Sequence, residues 1–178
     1  MTFSELGLRG EVLKSITDLG FDVPTPIQQK AIPHLLKSES DFVGLAQTGT
    51  GKTFAYMMPI LQDLPFSKQQ HPRVLVLVPT RELVLQVVSE IEKLSKYINT
   101  RVLGVYGGAN INTQKQSILQ GQDIIVATPG RLYDLALSNA LKLKSIQKLV
   151  IDEVDVMLDL GFRTQITNIF DHYLGLLL

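Results

Sequence analysis

The segment AQTGTGKT, residues 46–53, leaves the backbone few choices and dictates what must flank it. Gly49 and Gly51 permit turns closed to residues with a Cβ, so successive N–H groups along Ala46, Gln47, Thr48, Gly49, Thr50 and Gly51 can converge on one anion. Lys52 adds a point positive charge with the reach to meet β- and γ-phosphates, and the Thr53 hydroxyl suits a magnesium ion. The apolar stretch 42–45 before the loop reads as a short strand, and 54–64 after it as a helix. That setting puts a triphosphate on a helix N-terminus, where the dipole favours anions. The strict pattern opens on Gly, whereas this chain has Ala46; a plain glycine-rich turn is the competing reading.

A second acidic signal closes the apolar run 149–151. Residues 152–155 read DEVD, and a carboxylate at a strand end projects into the crevice where ligands of parallel sheets lie. Magnesium takes only one or two carboxylates and keeps its waters, which fits Asp152. Glu153 is placed to orient or deprotonate an attacking water. The alternative is an acidic strand-to-helix turn in which Asp155 caps the next helix.

Between these two signals the chain alternates. Continuous apolar runs at 74–78, 102–106, 124–127 and 149–151 have the length and β-branching of strands buried on both faces. Helical segments at 82–96, 112–119 and 131–137 separate them, and a polar linker, PFSKQQHP at 65–72, precedes them. With the phosphate-loop strand, the expectation is an α/β fold: a doubly wound, mostly parallel sheet of at least five strands with helices on both faces. Upstream, Leu8, Val12, Ile16 and Leu19 fall at helical spacing with Gly20 as the stop, and a second helix covers 26–36 despite Pro33. The 178 residues are read as one domain.

Composition removes several classes of function. There is no cysteine, which excludes disulfides, thiolate zinc sites and thiol catalysis. His34, His71 and His172 lack metal-ligand spacing. No window has the apolar length of a membrane span and no secretory leader is visible, so a cytoplasmic protein without membrane attachment is expected. A formal net charge of zero argues against binding nucleic acid as a simple polycation, while leaving room for helix N-termini and a few placed arginines.

Taken together, the motifs resemble the first of the two RecA-like domains of DEAD-box RNA helicases along essentially the whole chain. GFDVPTPIQ at 20–28 resembles that family's adenine-recognition motif, with Phe3 as the isolated upstream aromatic. PTREL at 79–83, the Gly107–Gly108 pair and TPGR at 128–131 resemble its RNA-contacting motifs. DEVDVMLDLGF at 152–162 resembles the signature segment, with Val154 where the family has alanine; a larger side chain there is expected to add volume to a packed site.

The resemblance implies ATP and Mg2+ as cofactors and RNA as partner. It implies that Gln28 pairs with the adenine edge while Phe21 stacks on its face. Lys52 holds the phosphates, Thr53 and Asp152 the metal, and Glu153 the water, with Asp155 coupling this site to a downstream SAT segment. Pro79, Thr80, Arg81, Gly107, Gly108, Thr128, Pro129, Gly130 and Arg131 line the RNA track, with contacts to backbone rather than bases. Local physics offers further readings. Thr25-Pro26-Ile27-Gln28 fits a capping box, and Thr80 and Thr128 are helix N-caps by position. Arg81 and Arg131 stand in first turns, where the dipole disfavours a cation, and a bound phosphate would resolve that conflict. The chain ends at Leu178, before the SAT motif and second RecA-like domain that the family places downstream. Half of an ATP-dependent RNA helicase is therefore expected, monomeric and nearly inactive alone. A non-catalytic nucleotide-dependent clamp for RNA or protein and a DNA-directed P-loop ATPase are the rivals.

Overall fold

The computed structural model describes residues 1–38 and 40–171. Its main chain clusters into two compact units: residues 1–67 with 89–99, and residues 68–88 with 100–178.

The first unit is helical. Helices α1 (Gly10–Asp18), α2 (Pro26–Lys37) and α3 (Lys52–Gln62) follow one another, with α3 packed against both others. Leu8, Val12, Ile16, Ala31, Ile32, Ala55, Met57, Met58 and Leu61 are buried, as the helical spacing requires. Helix α2 runs unbroken past Pro33, and Thr25 precedes Pro26 at its first position, where the absent N–H costs nothing. Residues 89–99 belong to this unit; there Lys96 and Tyr97 both hydrogen-bond the Asp18 carboxylate at the end of α1. His34 rests against the Phe42 ring, a packing contact, and His172 lies outside the described residues.

The second unit is a parallel sheet with its helices. Strands β1 (Val74–Leu77), β2 (Val102–Val105), β3 (Ile124–Ala127) and β4 (Lys148–Ile151) pair in the order β2-β3-β1-β4. Between and after them come α4 (Arg81–Leu94), of which residues 81–88 belong to this unit, α5 (Ile111–Leu119), α6 (Pro129–Leu137), α7 (Val154–Asp159) and α8 (Arg163–Ile169). The expected α/β fold with a parallel sheet is present, but the sheet has four strands among the described residues, not five. Residues 42–45 before the phosphate loop form no strand; Val43 and Leu45 are 86% and 93% exposed. An apolar run becomes a strand only by pairing, and sequence pattern carries no information about whether a neighbour is there.

The register is level. Leu77 pairs with both Ala127 and Ile151, and Val105 with Ala127, so all four strands end on one line. Every residue following a strand therefore emerges at the same carboxyl edge. Gly104 lets α4 approach β2, since a Cβ there would stand 2.8 Å from the Val84 side chain. Leu75, Leu77, Ile125, Leu132, Leu135, Met157 and Ile169 fill the core on α6, α7 and α8.

At the opposite edge a buried ion cluster ties the strand starts together. Asp123 accepts from Arg73 Nη2 at 3.1 Å and from Arg101 Nε at 2.9 Å and main-chain N at 3.0 Å. Burial pushes the Asp123 carboxyl up, but the bonds from Arg101 and Arg73 outweigh it and hold it below the ordinary 3.8. Its stabilising contribution is then fully present above that ordinary value and is lost as pH falls through the lowered one. Asp123→Ala is expected to cost about 3–5 kcal/mol by leaving buried Arg73 unpaired, measured as a fall in urea midpoint. The variant should also lose part of the acid dependence of stability between pH 5 and the lowered pKa, about the span over which carboxylates titrate.

Candidate functional site

In the first unit, the phosphate loop is set by its glycines. Gly49 and Gly51 take φ 76° and 84°, left-handed values that admit glycine freely, and Gly51 is the N-cap of α3. A Cβ on Gly51 would come 2.5 Å from Gln28 Nε2. Thr50 Oγ1 donates to Gln47 O at 2.7 Å and steadies the turn, while Gln47, Thr48 and Gly49 stay exposed. Lys52 Nζ lies 3.0 Å from Ala46 O, so the ammonium spans the loop from its last residues to its first. Thr53, half-buried in the first turn of α3, has a hard oxygen of the kind magnesium takes. This donor set fits a magnesium-bound polyphosphate: backbone amides at a helix start, one ammonium, one hydroxyl.

Gln28 is committed more deeply than its motif implies. It is 5% exposed, accepts from Thr25 N at 2.9 Å and donates through Nε2 to Gly51 O at 3.2 Å. Half of the capping box is made, by Gln28 accepting from Thr25 N, together with a link to the phosphate loop, and the amide has a second N–H beyond the one given to Gly51 O. Thr25 Oγ1, by contrast, has no hydrogen-bond partner. Phe21 is 46% exposed and stands edge-on to Phe54 of α3, ring centroids 5.3 Å apart. Phe21 thus keeps almost half of its surface open to solvent, whereas Phe3 is a core residue at 3% exposure.

In the second unit, the level register brings four motifs to one edge: Pro79 to Arg81 after β1, Tyr106 to Gly108 after β2, Thr128 to Arg131 after β3, Asp152 to Asp155 after β4. Asp152 N donates to Leu77 O at 2.9 Å, the last rung of the sheet. Glu153 takes φ 56° and ψ 48° as the N-cap of α7. A non-glycine residue in that left-handed region costs about 1–3 kcal/mol and is concentrated at functional positions. Asp155 sits in the first turn of α7 and is exposed; Glu153, not Asp155, holds the cap position. Val154 is 47% exposed, so its extra volume enters solvent rather than a packed site, correcting the expectation of crowding.

The predicted RNA residues divide by exposure. Arg81, Gly107 and Gly108 are exposed, Gly130 is half-buried, and Pro79, Thr128 and Pro129 are buried. Thr80 Oγ1 accepts from Leu83 N at 3.3 Å and caps α4, whereas Thr128 holds the cap position of α6 without a side-chain bond. The Arg81 guanidinium lies 5.0 Å from the Tyr106 ring centroid, a cation–π contact that offsets its place in a first turn. Arg131 solves the same conflict differently. Its guanidinium turns inward onto Ala109 O and Gln114 Oε1, so backbone and amide oxygens supply the negative partners that a phosphate was expected to provide. Tyr106 and Gln114 were not singled out from sequence. Gln114 had one signal, a polar residue three after Ile111 and four before Ile118, hence on the apolar stripe of α5.

Comparison with known proteins gives a consistent result. A family model described as DEAD/DEAH box helicase matches residues 25–175. The chain is 44% identical over 163 residues to the ATP-dependent RNA helicase DeaD of Haemophilus influenzae, covering 91% of this chain and 26% of that protein. It is 49% identical over 164 residues to the human probable ATP-dependent RNA helicase DDX43, with 89% and 25% covered. It is 45% identical over 173 residues to RhpA of Helicobacter pylori, a DEAD-box ATP-dependent RNA helicase, with 96% and 34% covered. The chain thus spans a quarter to a third of the length of these relatives. Among solved structures, the yeast DEAD-box splicing factor Prp28 superposes with a TM-score of 0.88 at 38% identity, covering 96% of this chain and 41% of that one.

Proposed function

The chain belongs to the DEAD/DEAH box helicase family, and on that premise we propose that it is the ATP- and RNA-binding half of an ATP-dependent RNA helicase. The observation that carries the reading is the loop: left-handed Gly49 and Gly51 deliver the backbone to the start of α3 with Lys52 bridging its ends. Loop amides and Lys52 would hold the phosphates, Thr53 and Asp152 would each offer an oxygen suited to magnesium, and Phe21 and Gln28 would hold the adenine. Magnesium, when bound, would offset the negative charge of the phosphates. Glu153 orients the attacking water and takes its proton at the carboxylate, and Asp155 couples the site to the SAT segment.

Exposed Arg81, Gly107 and Gly108 meet the RNA backbone at the carboxyl edge of the sheet, so binding is largely independent of sequence. The partner of this half is a second RecA-like domain on the same polypeptide, which supplies the arginine fingers and the rest of the RNA track. The single-domain reading of 1–178 and a cytoplasmic location belong to the same proposal. For the membrane question, no helix among the described residues is long and apolar enough to cross a bilayer.

Adenine selectivity tests the nucleotide half of this reading. ATP and ADP are expected to bind about tenfold or more tightly than GTP, since a site built on directed hydrogen bonds rejects a base with the wrong donors. Gln28→Ala should shrink that ratio towards one, and calorimetric affinities equal for ATP and GTP in the unaltered chain contradict it.

A further inference from the structure

We propose that Gln114 and Arg131 are positioning residues for RNA binding, forming a buried latch that sets the Gly107–Gly108 loop, and that Arg131 is not itself a phosphate contact. The inference rests on the RNA-binding reading above. The Arg131 side chain is only 10% exposed. Its Nη1 and Nη2 both lie 3.1 Å from Ala109 O, Nη1 lies 2.8 Å from Gln114 Oε1, and Nε faces the Asp134 carboxylate at 3.9 Å. Gln114, 7% exposed, donates through Nε2 to Tyr106 O at 3.2 Å.

The loop is thus gripped at both ends, at Tyr106 by Gln114 and at Ala109 by Arg131, and the Gln114–Arg131 bond joins the grips. Between them stand two exposed glycines, Gly108 at φ 79°, with no side chain of their own to hold a conformation. Ordering a residue's backbone costs about 1–2 kcal/mol, and glycine sits high in that range. A loop ordered before RNA arrives spares that cost on binding. The side chain is largely buried and three of its five N–H donors are already spent on Ala109 O and Gln114 Oε1, which leaves the cation role to exposed Arg81 on the Tyr106 ring.

Salt dependence separates the two roles, because each phosphate neutralised by a cation contributes about 0.7 to the slope of log affinity against log salt on a single strand. Binding of a fluorescein-labelled single-stranded oligouridylate to this chain would be followed by anisotropy across salt concentrations. Arg81→Ala should lower the slope by about 0.7. Gln114→Leu and Arg131→Met should each weaken binding by about tenfold with the slope unchanged. The double variant should lose little more than either single one, as members of one unit do. Without RNA, backbone order parameters of residues 107–110 should fall from about 0.85 towards 0.6 in Gln114→Leu while the sheet stays rigid. A slope lowered by about 0.7 in Arg131→Met would overturn the proposal, and so would order parameters unaltered in Gln114→Leu. No binding by the unaltered chain at low salt would instead remove the RNA-binding reading, and with it the binding role of the latch. The order parameters would still decide whether the latch orders the loop.

Discussion

Glu153→Gln is expected to slow ATP hydrolysis by about a hundredfold to ten-thousandfold in the two-domain protein while leaving ATP affinity within a factor of about two. Glutamine keeps the shape and one acceptor oxygen but cannot take a proton, so only the step that moves the proton suffers. The local structure gives an independent handle on the assignment. Glu153 is held at φ 56°, a conformation that destabilises the fold. Glu153→Gly should therefore leave the thermal midpoint unchanged or raise it, even as turnover collapses. Stability that falls with activity in both variants would make Glu153 a structural cap of α7. ATP affinity and turnover falling together in Glu153→Gln would place it at the metal, not at the water.

Lys52→Ala carries the other large effect. A charged hydrogen bond to phosphate is worth about 1.5–3 kcal/mol, so nucleotide affinity should drop by about 10- to 150-fold and turnover should vanish. The folded protein should hardly notice. Lys52 makes its bond to Ala46 O, a half-buried carbonyl at the loop mouth that water can serve instead. Calorimetry with magnesium-ATP beside a thermal melt decides the matter. A lowered midpoint with unaltered nucleotide affinity would make Lys52 a brace of the loop, and the glycine-rich turn would be only a turn.

Much of this was legible in the residues because local physics and function ask for the same thing there. The run at 124–127 is β3 residue for residue, and Gly49 and Gly51 are left-handed as a phosphate cradle demands. The run at 42–45 shows where local pattern stops. Its composition suits a strand, yet pairing depends on a neighbour far off in sequence, and among the described residues none is paired with it. Helix α7 enters the sequence reading only as the helix that Asp155 would cap, and α8 not at all: they have six and seven residues, and the exposed Val154, Val156 and Leu158 blur the helical period of α7.

Arg131 marks a different boundary. Its place in TPGR was readable, but the direction of a long side chain depends on which acceptors lie within reach. Those acceptors, Ala109 O and Gln114, come from a loop and a helix earlier in the chain. The parallel topology brings them beside α6, and no spacing within the motif encodes it.

The most direct measurement is ATP hydrolysis with and without single-stranded RNA, on this chain alone and on the same chain carrying a second RecA-like domain. The predicted result is feeble, RNA-insensitive hydrolysis by the chain alone. With the second domain, RNA should accelerate turnover steeply, since an arginine finger alone contributes about 10³–10⁵ in related phosphoryl transfer. Two results would contradict the assignment: RNA-stimulated hydrolysis at full rate by the 178-residue chain alone, or a two-domain protein whose hydrolysis ignores RNA.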